Sequence, residues 1–267
     1  MRTLRLLVVI FCAVAAVACA SGGSPRPAST PLYDPAALPP GPVGAQIALG
    51  HDLIEDTHAK LPQYVTARMN CSACHINAGT VARGGTLAGV YAHFPQWNKR
   101  AHRVIALQDR LAQCFLYSMN GTPPAYDSKE MIAMVAYIAW LSRGTPVLAT
   151  ADPQVGFRLP EPSASPNVAN GATIYAAKCA SCHQANGNGI ALAVPPLWGP
   201  DSFNAGAGMH RLGDMAGFVR YNMPQNAPGS LTPEQSFDVA AYVLSHARPA
   251  FAKSRAVGFP SQPASFF

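Results

Sequence analysis

Cys71-Ser72-Ala73-Cys74-His75 and Cys179-Ala180-Ser181-Cys182-His183 are two copies of one five-residue pattern, and the rest of the chain is read outward from them. Two thiols three residues apart, followed at once by an imidazole, form the attachment site of a c-type haem. The thiols add across the porphyrin's two vinyl groups, and the adjoining imidazole reaches the iron as proximal ligand. Cys71, Cys74, Cys179 and Cys182 are therefore the expected attachment residues of two covalently bound haem c groups, with His75 and His183 on the irons. A zinc site would need further His or Cys partners at finger-like spacing, and neither copy has them. A redox dithiol belongs in a βαβ setting, and no convincing strand alternation is visible.

Both copies sit in the same plan: a helix-like stretch, the motif, a Gly/Pro-rich middle and a closing amphipathic helix. The first closing helix is expected to start at Asp127-Ser128-Lys129-Glu130, a cap with an acid at the third helical position. The second starts at Thr232-Pro233-Glu234-Gln235, a capping box with Pro at the first helical position. Each carries an Ala-Tyr-aliphatic triplet, Ala136-Tyr137-Ile138 and Ala241-Tyr242-Val243. The fold class expected is all-α, with two cytochrome c-like haem domains over 45–150 and 170–250. A Pro/Ser-containing linker at 151–169 joins them, and 251–267 is a tail.

Length and composition agree. The 267 residues include 25 prolines and 22 glycines, which break the chain into short helices and loops, and 49% of them are hydrophobic, enough for two small cores. A covalently held haem supplements such a core. The N-terminus reads as an export signal over 1–20: Arg2 and Arg5 lead an apolar run from Leu6 to Ala18 that is too short to span a bilayer. Cleavage after Ala20 would free the chain, whereas cleavage before Cys19, in an imperfect lipobox, would anchor it to a membrane by lipid. Residues 21–44, rich in Pro, Ser and Gly, read as a disordered tether. The location expected is the periplasm. The formal charge of +6 falls once Arg2 and Arg5 are removed, which is too weak an excess for a nucleic-acid partner.

The sixth iron ligands are less directly legible. Met223, in Asn222-Met223-Pro224, lies 40 residues after His183 in a short Pro-bounded loop before the last helix, with Met209 and Met215 as alternatives. Pro195 or Pro196 is placed to offer a carbonyl to the His183 N–H. For the first haem His93, His102, Cys114 and Met119 are available. Cys114 has no haem partner and stands in an exported chain where free thiols oxidise. It is either an inert buried thiol or a ligand or reactant.

The run Asp109-Arg110-Leu-Ala-Gln113-Cys114-Phe115-Leu-Tyr117-Ser118-Met119-Asn120-Gly121, with Phe94-Pro95, Arg100, Glu130-Met131 and Ala136-Tyr137-Ile138 around it, resembles the dihaem thiosulfate dehydrogenases. The resemblance spans both haem domains, about 45 to 250. It implies a periplasmic enzyme joining two thiosulfates into tetrathionate, with some relatives favouring the reverse reaction. It also implies His75 and Cys114 on the active haem, His183 and Met223 on the electron-transfer haem, and a substrate site of Arg100, Arg110 and Ser118. In that family an Arg usually precedes the Ser, where this chain has Tyr117. Some members carry a Lys beside the distal Met that exchanges with it, where this chain has Asn222.

The chemistry of these residue types fits. Guanidinium forks hold oxyanions, a serine adds a donor, and a thiolate-type sulfur suits sulfur–sulfur exchange. The acceptor expected is a soluble c-type cytochrome or an oxidase. The alternative readings are a non-catalytic dihaem electron carrier, or an oxidoreductase acting on another sulfur compound.

Overall fold

The computed structural model describes residues 32–148 and 156–251. The export signal, Cys19, the first part of the tether, residues 149–155 of the linker region and the tail beyond Phe251 lie outside the described residues.

Six helices of eleven residues or more organise the described chain, three in each half. The first half has α1 (Pro42–Glu55), α2 (Leu107–Tyr117) and α3 (Lys129–Leu141). The second has α4 (Val168–Lys178), α5 (Leu212–Asn222) and α6 (Pro233–Ser245). In each half the first helix crosses the last, α1 on α3 and α4 on α6. Both crossings are made at a glycine. A β-carbon on Gly50 would stand 2.0 Å from the Ala133 carbonyl oxygen and 2.7 Å from Tyr137 Cβ. One on Gly171 would stand 2.0 Å from the Asp238 oxygen and 3.0 Å from Tyr242 Cβ. The repeated Ala-Tyr-aliphatic triplet thus marks where two helices meet backbone to backbone, which only glycine permits.

The helix starts follow local chemistry. Thr232 Oγ1 accepts the Gln235 N–H and the Gln235 side chain accepts the Thr232 N–H, with Pro233 at the first helical position. In α3 the cap is Ser128, which accepts from Met131 N, so Glu130 occupies the second helical position rather than the third. α1 begins at Pro42, inside the Pro-rich stretch read as tether, and Tyr33 stacks on His51 with ring centroids 4.2 Å apart. The expected linker is likewise packed where it is described. Phe157 meets Phe218 edge-on, and the Phe157 and Leu159 carbonyl oxygens lie over Gly217 and Gly213 of α5.

Strand structure is present where none was expected. β1 (Gln96–Asn98) and β2 (Arg103–Ile105) form an antiparallel pair with Trp97 opposite Val104. Three residues per strand are too few to leave an alternation signal. The hairpin is fixed by its ends: Asn98 Oδ1 accepts the N–H groups of Arg100 and Ala101, and Arg103 pairs with Asp109 of α2 at 2.8 Å. The Asp109 carboxylate also accepts the Ala106 N–H, holding the start of α2 against the hairpin.

Candidate functional site

Each motif opens onto its own cavity. The first cavity, about 1030 Å³ of empty space with its mouth included, is lined by Cys71, Cys74, His75, Arg110, Cys114 and Ser118 over an apolar floor. The second, about 1750 Å³ on the same measure, is lined by Cys179, Cys182, His183 and Met223, with Met209 and Met215 beside them. Met69, Asn70, Cys74, Phe203 and Met209 line both, so the two cavities share a wall.

The histidines are oriented from behind. His75 Nδ1 bonds the Gly85 carbonyl, and His183 Nδ1 lies 3.1 Å from the Pro195 carbonyl, one of the two prolines expected there. A carbonyl partner on Nδ1 leaves Nε2 for a metal. Burial holds the His183 imidazole below its ordinary value against the pull of the Pro195 carbonyl, which keeps it in the neutral form a metal needs.

α2 builds the other side of the first cavity. Arg110, Cys114 and Ser118 are spaced at four-residue intervals and share one helix face. Cys114 and His75 line the same cavity, and the imidazole is among the groups that favour the Cys114 thiolate. Three half-buried cysteines meet here in opposite states. Burial pushes the Cys71 and Cys74 thiols up to about 12. Burial raises Cys114 too, but Arg110, the His75 imidazole and Arg100 outweigh it and bring the thiol down to about 7. A polarisable sulfur drawn toward its thiolate, in one cavity with an oriented imidazole, has the chemistry to hold an iron if a haem is attached through Cys71 and Cys74.

Arg100 sits at the turn of the hairpin rather than on the cavity wall. Its guanidinium lies 4.0 Å from the centroid of the Tyr117 ring. Tyr117 is buried, packed edge-on by Phe251 and covered by Gly206, both from the second half. Met119 also lines the first cavity, whereas His93 and His102 do not line it. The sequence reading missed the tie between the halves at this point. Asn204 donates to the Leu116 carbonyl and to Asn120 Oδ1, and its N–H bonds Tyr117 O. It missed a second tie, Arg68 against Asp201 and the Asn188 carbonyl. A fully buried asparagine among loop residues carries no periodic signature, so nothing in the pattern marked Asn204.

Both cavities therefore fit a haem: a thiol pair, a carbonyl-held histidine, an apolar lining and a sulfur side chain are present at each. Such a pair of sites on two small helical halves defines a dihaem c-type cytochrome. Comparison with known proteins agrees and narrows the class. A family model described as SoxA/TsdA, cytochrome c domain matches residues 62–147, and one described as Cytochrome c matches 168–247. The thiosulfate dehydrogenase of Allochromatium vinosum is 40% identical over 239 residues, covering 85% of this chain and 87% of that protein. That of Stutzerimonas stutzeri is 39% identical over 216 residues, covering 79% and 70%. A solved thiosulfate dehydrogenase (TsdBA) from Marichromatium purpuratum, in its as-isolated form, superimposes with a TM-score of 0.78 at 33% identity. That match covers 86% of this chain and 53% of the solved one, so this chain spans about half its length. The chain belongs to the thiosulfate dehydrogenase family, and it carries two covalently bound haem c groups.

Proposed function

We propose that this chain couples two thiosulfates into tetrathionate at the first cavity and passes the electrons through the second to a soluble c-type cytochrome or oxidase in the periplasm. The outer sulfurs of two dianions form one S–S bond, and the product dianion leaves two electrons behind. When bound, the two haems supply one-electron steps, the first at the coupling site and the second toward the acceptor. Cys114 and His75 would hold the first haem's iron, and Met223 and His183 the second's.

The observation that carries this reading is the single face of α2 that presents Arg110, Cys114 and Ser118 to one cavity. Two thiosulfates bring four negative charges together. Arg110 offsets part of that charge at the cavity wall, Arg100 adds a second guanidinium from the hairpin, and Ser118 offers an O–H to a sulfonate oxygen. Cys114, already drawn toward its thiolate by the same arginines, would hold the first haem's iron with a soft sulfur beside the groups that hold the substrate anions. A thioether on the second haem raises its potential over a thiolate-bound one, which directs electrons outward.

The test is thiosulfate with ferricyanide on the haem-loaded protein. The expected result is one tetrathionate for every two ferricyanides reduced. No thiosulfate-dependent reduction, together with no tetrathionate reduction by an electron donor, would exclude the coupling activity.

A further inference from the structure

Three successive carbonyls in the first half hold parts of both haem sites. The Gly85 carbonyl bonds His75 Nδ1, and the Gly84 carbonyl accepts the Ile76 N–H at 2.8 Å. The Arg83 carbonyl accepts Asn222 Nδ2 at 2.8 Å, from the residue immediately before Met223. The same amide also donates to the Phe218 carbonyl at 3.1 Å, closing the end of α5. Arg83 adds a second hold, its guanidinium 4.4 Å from the ring centroid of Tyr221. The segment has no slack: a β-carbon on Gly85 would lie 2.3 Å from the Cys74 carbonyl oxygen and 3.2 Å from His75 Nδ1. Asn222 is buried, so losing its amide donor would leave two carbonyls without that partner.

We infer that Asn222 is a positioning residue that ties Met223, the methionine assigned above to the second haem, to the Arg83-Gly84-Gly85 strap that orients the first haem's histidine. The inference rests on that assignment of Met223. The backbone already restrains Met223 on one side, its N–H bonding Val219 at 3.0 Å, but the chain beyond it is loop. The Asn222 amide fixes the loop's root against the other half of the molecule. The thioether is thereby kept at the second haem, where a looser loop would let small ligands compete for the iron.

The test compares Asn222→Ala and Asn222→Asp, which keeps the shape but removes the donor, with Met223→Ala, all in the haem-loaded full chain. The readouts are the far-red thioether-to-iron charge-transfer band of the oxidised protein and the affinity of the second haem for cyanide. Both Asn222 variants are expected to weaken the band and bind cyanide about tenfold more tightly, the equivalent of one buried hydrogen bond to a competent loop. Met223→Ala is expected to abolish the band. If Met223→Ala keeps the band, the assignment of Met223 fails, and this inference with it. If Met223→Ala loses the band while both Asn222 variants match the parent in band and cyanide affinity, the assignment stands and the role of Asn222 is overturned.

Discussion

The two halves place a sulfur at nearly the same remove from their histidines, 39 residues from His75 to Cys114 and 40 from His183 to Met223, but on different kinds of backbone. Cys114 is inside α2, flanked a turn away on each side by Arg110 and Ser118. Met223 follows the last residue of α5, in extended conformation, with Pro224 after it. A ligand within a helix brings neighbours at four-residue spacing to the same cavity, and these can be chosen for a substrate. A ligand in a short loop brings no such face. On the function proposed above, the difference would separate a site that binds and reacts from one that hands on electrons, although both halves share one helical plan.

The comparison breaks first at the ligand itself. Cys114→Met gives the first site the second site's chemistry. Thiosulfate-dependent ferricyanide reduction is expected to fall about a hundredfold or more, with the first haem's potential raised in spectroelectrochemical titration. An unchanged rate would mean that the sulfur's charge is irrelevant. The shared plan is tested by Gly50→Ala and Gly171→Ala. Each pushes a methyl group into a facing carbonyl at 2.0 Å and is expected to destabilise its half by about 2–3 kcal/mol, read as lower thermal midpoints of the two haem-loaded variants. Costs that differ widely would show that the two crossings are not equivalent. Arg110→Ala removes the guanidinium beside Cys114. KM for thiosulfate is expected to rise about tenfold in steady-state assays, with no matching change in the second haem's spectrum. The smallest effect is expected at Tyr117. Tyr117→Leu removes the ring under Arg100 and should raise KM about twofold to fivefold, whereas Tyr117→Phe, which keeps the ring, should restore the parent value.

Much of the fold was legible because its signals are local. The two motifs, the Thr232 capping box and the repeated tyrosine triplet each announce a backbone event within a few residues, and the structure gives all of them a place. The short hairpin was not legible, since Gln96–Asn98 and Arg103–Ile105 are too brief for a period to show. Around the site, the four-residue spacing of Arg110, Cys114 and Ser118 was written in the chain, but its meaning depended on α2 being helical through Tyr117. Arg100 stands beside the site and not on its wall, held by a turn tied to Asn98 and over a ring buried by the other half, a placement that spacing does not encode. Contacts across the halves, such as Asn204 on Leu116 and Asn222 on Arg83, join residues 88 and 139 apart. Loop closure at that range leaves no trace in any window of sequence.

The company kept by Cys114 also bears on how the protein is made. Cys71, Cys74 and Cys114 line one cavity, so before the cofactor is attached three thiols share that space. In an oxidising compartment three such thiols can pair wrongly, and any disulfide among them would spoil the motif, the reactive sulfur or both. Attaching the porphyrin converts Cys71 and Cys74 to thioethers and leaves Cys114 without a thiol in that cavity to pair with when an oxidant is present. Early attachment of the cofactor would therefore protect the third thiol of that cavity from mispairing.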